Sequence, residues 1–192
     1  MASAVELEER KAIRQKVGKP LLIVGMVSIF MIFAALTSAY IVRQADGNWL
    51  TFDMPMPFYV STIFIVLSSI TMMWSTRSAK NGNLQAMTNG VGLTFLLGLG
   101  FVISQFYTYA YMVESGLYFV GTNVSSSFMY VITGLHLAHI ISGLIALGVS
   151  YLNARRGKYT ADDHLGLSLS AMYWHFLDVL WIYLLLFLLF IR

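Results

Sequence analysis

Residues 165–191 read LGLSLSAMYWHFLDVLWIYLLLFLLFI, an apolar run that no Lys, Arg or Glu interrupts. A helix rises 1.5 Å per residue and crosses about 30 Å of hydrocarbon in roughly 20 residues, so this stretch is long enough to span a bilayer. Inside it, His175 and Asp178 stand three positions apart. A carboxylate at mid-depth costs roughly 2.5 to 3.5 kcal/mol on insertion scales, so a pair of this kind needs partners.

Four further apolar runs precede it, at about 21–42, 57–76, 88–112 and 128–152. The chain has 192 residues, 58% hydrophobic and only 11% charged, with a mean hydropathy of +0.71. Soluble domains do not reach that balance, and we read an all-α integral membrane protein: one domain, residues 1–192, forming a bundle of five transmembrane helices. Residues 1–19 are charged and read as a cytoplasmic tail. The first apolar run is too long for a signal-peptide core, so the first span is expected to stay in the membrane. Pro57 opens the second span, where its missing N–H would be unpaired in any case. The absence of cysteine excludes thiolate metal sites, covalent c-type haem attachment and disulfides.

Orientation follows from the cations. Arg10, Lys11, Arg14, Lys16 and Lys19, then Arg77 and Lys80, then Arg155, Arg156 and Lys158 fall on one side; Arg43 and Arg192 fall on the other. The positive-inside rule puts the amino terminus in the cytoplasm and the carboxyl terminus outside, and it accounts for the net charge of +3 without an acidic partner or nucleic acid. Asp46 belongs to a polar turn after the first span, and Glu114, Asp162 and Asp163 read as solvated loop acids. Short loops predict that consecutive helices are antiparallel neighbours.

The fourth span carries His136 and His139 at the same spacing of three as His175 and Asp178 in the fifth. Antiparallel packing places all four near mid-depth, where Asp178 could accept a hydrogen bond from a ring N–H. We read this polar cluster as a clasp fixing the fourth helix to the fifth. A zinc or iron site, or a proton relay, would use the same groups. Gly134, Ala138, Ser142 and Ala146 recur every four residues along the fourth span, a ladder of small residues that suits close helix packing; Ser150 continues it. Gln105 in the third span is a single amide expected to pair with a neighbouring helix. No catalytic motif is visible: no HExxH, no GxSxG, no phosphate-binding glycine loop.

TGLHLAHIISG (133–143) followed by HLGLSLSAMYWHFLDVLWIYL (164–184) resembles, in order, the two carboxyl-terminal helices of subunit III of haem-copper terminal oxidases. GLGFVISQFYTY (98–109) and the Ser28–Val42 pattern extend the likeness more loosely to the other spans, in the short five-helix bacterial form. The resemblance implies a non-redox accessory subunit of a cytochrome c oxidase in the bacterial inner membrane. Haem and copper would sit in partner subunits, subunit I would be the main contact beside subunit II, and lipids would be held between helices. It also implies support for proton pumping by the catalytic subunit. That subunit needs six histidine ligands where this chain has four histidines, and the copper pair of subunit II needs cysteine. Ile29, Thr108 and Ser168 stand where the family commonly has glutamate, so roles tied to those acids do not transfer. Alternatives are the equivalent subunit of a quinol oxidase, a small protein associated with nitric oxide reductase, or an autonomous transporter or metalloenzyme built on the His/Asp cluster.

Overall fold

The computed structural model describes residues 4–45, 47, 49, 54–120, 124–160 and 164–191. Asp46, Asp162, Asp163 and Arg192, and the side chains of Arg10, Lys11 and Arg14, lie outside the described parts. Five helices follow one another: α1 (Ala4–Ala45), α2 (Pro57–Lys80), α3 (Leu84–Glu114), α4 (Val124–Arg155) and α5 (Leu165–Phe190). All five are long and apolar enough to cross a membrane.

α2, α3 and α4 run beyond their apolar stretches, because Lys, Arg and Glu are good helix formers that carry the last turn out of the hydrocarbon. The largest difference from the sequence reading is at α1. The charged stretch read as a tail is helical from Ala4, and Pro20 lies inside the helix instead of before it. The segment AVELEERKAIRQKV consists mostly of strong helix formers, so nothing in it stops a helix. Pro20 removes one backbone donor beside exposed Lys16 and Lys19, where water can take its place.

Between α2 and α3 the turn is only three residues, Asn81 to Asn83. Gly82 takes φ +71°, a left-handed conformation that favours glycine, and the Asn83 side chain accepts from the Ala86 N–H at 3.0 Å to cap α3. The hairpin closes tightly where a Cβ on Gly90 would stand 2.7 Å from Ser75 Cβ; there the Ser75 hydroxyl donates across to the Met87 carbonyl at 2.8 Å.

α2, α3, α4 and α5 form a closed ring in which α5 returns to α2. α1 packs outside that ring, on α5 and α4, and among the described residues it makes no close backbone approach to α2. Consecutive helices are therefore neighbours except for the first pair, whose longer connection, residues 46–56, frees α1 to rest elsewhere. Only 11% of the apolar window of α1 is buried, against 50% for α5, so α5 is the central helix and α1 the peripheral one. The core is aromatic and aliphatic, with Trp174, Trp181, Phe33, Phe58 and Phe101 fully buried.

Candidate functional site: the polar seam on α5

α5 meets α2 through a line of hydrogen bonds. Trp174 Nε1 donates to Ser68 Oγ at 2.9 Å, Ser69 Oγ lies 2.7 Å from His175 Nδ1, and Trp181 Nε1 donates to Thr62 Oγ1 at 3.0 Å. These partners come from a pattern in α2 that repeats every seven residues: Ser61–Thr62, Ser68–Ser69, Ser75–Thr76. Seven residues are close to two helical turns, so each pair presents the same edges. In the first two pairs the second hydroxyl serves α5, and Ser68, the first member of its pair, serves it as well. Among the first members, Ser61 shares a 3.0 Å hydrogen bond with Ser104 of α3, and Ser75 reaches Met87 of the same helix. Trp174 and Trp181, seven apart on α5, donate to Ser68 and Thr62, which are six apart on α2, so the two indoles take different members of their pairs.

His175 and Asp178 lie together at this seam, with His175 Nδ1 3.8 Å from Asp178 Oδ2. That separation is too long for a hydrogen bond. Ser69 and His175 are the polar neighbours of the carboxyl group, and both of its oxygens lack a hydrogen-bond partner among the described residues. Asp178 is 3% exposed, whereas the His175 side chain is 32% exposed.

The α4 imidazoles sit in a different environment. His136 is fully buried, stacked on Trp181 with centroids 5.2 Å apart and edge-on to Phe101 and Phe33; neither ring nitrogen has a hydrogen-bond partner among the described residues. His139 lies edge-on to Phe33 of α1, and its Nδ1 stands 2.8 Å from the Leu135 carbonyl of its own helix. The hydrogen-bonded clasp expected between α4 and α5 through these four residues is not formed among the described residues, and His136 meets α5 through its ring face on Trp181. The hydrogen bond of His175 runs instead to Ser69 of α2, and His136 contributes its ring face to an aromatic cluster. An imidazole stacked on indole is held by packing, which residue spacing alone does not distinguish from ligation. Among the described residues no three His, Asp or Glu side chains converge as a metal site.

The ladder on α4 divides as well. Ala138 and Ser142 are exposed and Gly134 and Ala146 are half-buried. Ser142 shares a 2.7 Å hydrogen bond with the Tyr173 hydroxyl of α5, and Ser150 shares one of 2.8 Å with Ser170. The close approach of α5 falls instead at Gly143, where a Cβ would stand 3.0 Å from Leu177 Cδ1 and 3.1 Å from Trp174 Cε3. Gly98 of α3 faces the same indole: a Cβ there would be 2.7 Å from Trp174 Cη2. Gln105 is fully buried, yet neither its amide nitrogen nor its oxygen has a partner among the described residues, contrary to the expected pairing with a neighbouring helix. Glu114 is exposed, as read.

The α2 hydroxyls that bind α5 were not singled out in the sequence reading. Their signal in the sequence is the seven-residue repeat of hydroxyl pairs along α2.

Comparison with known proteins gives a consistent result. The family described as cytochrome c oxidase subunit III matches residues 12–191. A probable cytochrome c oxidase subunit 3 of Rickettsia felis is 32% identical over 94% of this chain and 70% of its own length. The cytochrome c oxidase subunit 3 of Corynebacterium diphtheriae is 32% identical over 83% of this chain and 81% of its own, and that of Thermostichus vulcanus 31% identical over 84% and 81%.

Proposed function

Since the chain belongs to the cytochrome c oxidase subunit III family, we propose that it serves as a non-redox accessory subunit of a bacterial respiratory haem-copper oxidase. In this role it stabilises the catalytic subunit I while that subunit reduces oxygen and pumps protons. Haem and copper reside in the partner subunits, subunits I and II, and lipids fill the spaces between helices. The bacterial inner membrane is the location. The observation that carries the reading is the family match across all five helices, with the motif-bearing α4 and α5 packed as core. The buried imidazole of His136 stacks on Trp181 in the core that joins α4 to α5. Orientation belongs to the same proposal. Lys16, Lys19, Arg77, Lys80, Arg155, Arg156 and Lys158 are all exposed at the ends of the bundle that topology puts together, and the positive-inside rule makes that end cytoplasmic.

The test is gentle extraction of the tagged chain from its own membranes, followed by identification of the copurified polypeptides and an optical spectrum. The expected result is a haem-bearing oxidase in the complex and neither haem nor copper in the chain separated from it. Stoichiometric haem or copper in the separated chain would overturn the reading. The spectrum and donor assays of the complex also distinguish a cytochrome c oxidase from a quinol oxidase.

A further inference from the structure

We infer that the groove between α1 and α2, floored by the outer face of α5, is the seat of a transmembrane helix from a partner oxidase subunit, one that places a hydrogen-bonding side chain opposite His175. The inference rests on the accessory-subunit reading and adds the face and the chemistry of the contact.

α1 and α2 both pack on α5 and not on each other. α1 meets α5 near Leu165 and Leu169, which border Gly18, and at Tyr183 and Phe187, which meet Thr37 and Tyr40. α2 meets it through Trp174, His175 and Trp181. At about 100° per residue, α5 presents between α1 and α2 a stripe of Ser168, Met172, His175, Val179, Ile182 and Leu186, with His175 at the edge that also touches α2. None of the six is buried, and Val179 is 66% exposed. Their spacing alternates four and three, the spacing that a second helix fits by knobs-into-holes packing. On the α2 wall, Val66 and Met73 flank Ser69 at the same alternation, and both are exposed.

Apolar surface alone would suit an acyl chain equally well. The middle of the groove decides between the two occupants. His175 holds Ser69 by Nδ1 and is one-third exposed, so its ring carries hydrogen-bonding capacity to the open side at mid-span. Behind it stands Asp178, almost wholly buried, with both carboxyl oxygens unpartnered among the described residues. Hydrocarbon cannot satisfy an imidazole, and leaving one facing it is costly. A helix carrying Ser, Thr, Asn, Gln or Glu at that level satisfies it, which is how polar side chains join helices in membranes.

The experiment uses the intact oxidase complex bearing the tagged chain. A photoreactive benzoylphenylalanine replaces Val179 in the groove or Ile145 on exposed α4. The expected result is that the Val179 probe joins this chain to another oxidase polypeptide, several times more efficiently than the Ile145 probe. Lipid adducts alone from Val179, a covalent dimer of this chain, or stronger protein adducts from Ile145 would each overturn the inference. In parallel, His175→Leu is expected to lower retention of the chain in the complex about three- to tenfold, with His175→Gln restoring it. Ser69→Ala, which breaks only the internal bond, should leave retention near wild type; a loss equal to that of His175→Leu would assign His175 to the internal clasp and refute the partner contact. If the wild-type chain brings down no oxidase polypeptide, the accessory-subunit reading falls as well. If it does and the adducts map elsewhere, only the groove is wrong.

Discussion

Gly90→Ala should loosen the α2–α3 hairpin despite adding only a methyl group. The new Cβ would stand 2.7 Å from Ser75 Cβ, 3.0 Å from Ser75 Cα and 3.2 Å from Ser75 N. Carbon atoms pack at about 3.5–4.0 Å, so α2 must retreat by about 1 Å, and because two of the three atoms are backbone no rotamer change relieves it. Overpacking of this kind costs about 1–3 kcal/mol. The retreat also stretches the 2.8 Å bond from Ser75 to the Met87 carbonyl; polar contacts in membrane bundles average about 0.6 kcal/mol. Alanine recovers up to about 1 kcal/mol through its higher helix propensity. The sum is a net loss of about 1–3 kcal/mol. Gly25→Ala is the control, since nothing lies within 4 Å of a Cβ there, and it should be neutral or slightly stabilising. Denaturant unfolding of the purified chain in one detergent, followed by circular dichroism, measures both variants. If Gly90→Ala unfolds no earlier than Gly25→Ala, the helices are not in contact at that level and the packing argument fails.

Trp174→Ala should cost about 3–5 kcal/mol, because the indole is fully buried between Gly98 and Gly143; Trp174→Phe keeps most of the packing, loses the bond to Ser68 and should cost well under half as much in the same unfolding assay. Asp178→Leu is expected to weaken assembly with the oxidase more than turnover per intact complex, read by quantifying subunits and oxygen consumption together; normal assembly with lost turnover would point to proton transfer instead. The chain has no cysteine, so single cysteines can map topology: Arg156→Cys should be shielded from an impermeant maleimide in intact spheroplasts and Gly116→Cys labelled, and the reverse pattern would invert the orientation.

The spans were legible because a helix in lipid must satisfy its own backbone, so apolar length alone locates it. The extension of α1 through Pro20 was not, since proline before an apolar run reads as a start signal and only the helix-forming stretch upstream argues otherwise. The importance of α4 and α5 could be read from their histidines and from the family pattern, whereas the partners of those histidines could not. Spacing says that His136 and His139 share a side of α4; it does not say that Phe33, Phe101 and Trp181 fill the space around them. Nor does a short loop rule assign the neighbours of α1, whose connection to α2 is long enough to let it settle against α5. The ladder misled because periodic small residues mark where a helix can be approached, and the actual approach at Gly143 depends on where Trp174 and Leu177 arrive from the other side.

The seating of α1 has a temporal consequence. A ribosome delivers α1 before any of the helices it rests on, and its berth against α4 and α5 exists only when the carboxyl-terminal end of the chain has entered the bilayer. Until then α1 lacks its main neighbour, α5, while α2 and α3 can already close on each other through their three-residue turn. Chains stopped short of α5 would leave α1 with α4 alone among the helices it rests on.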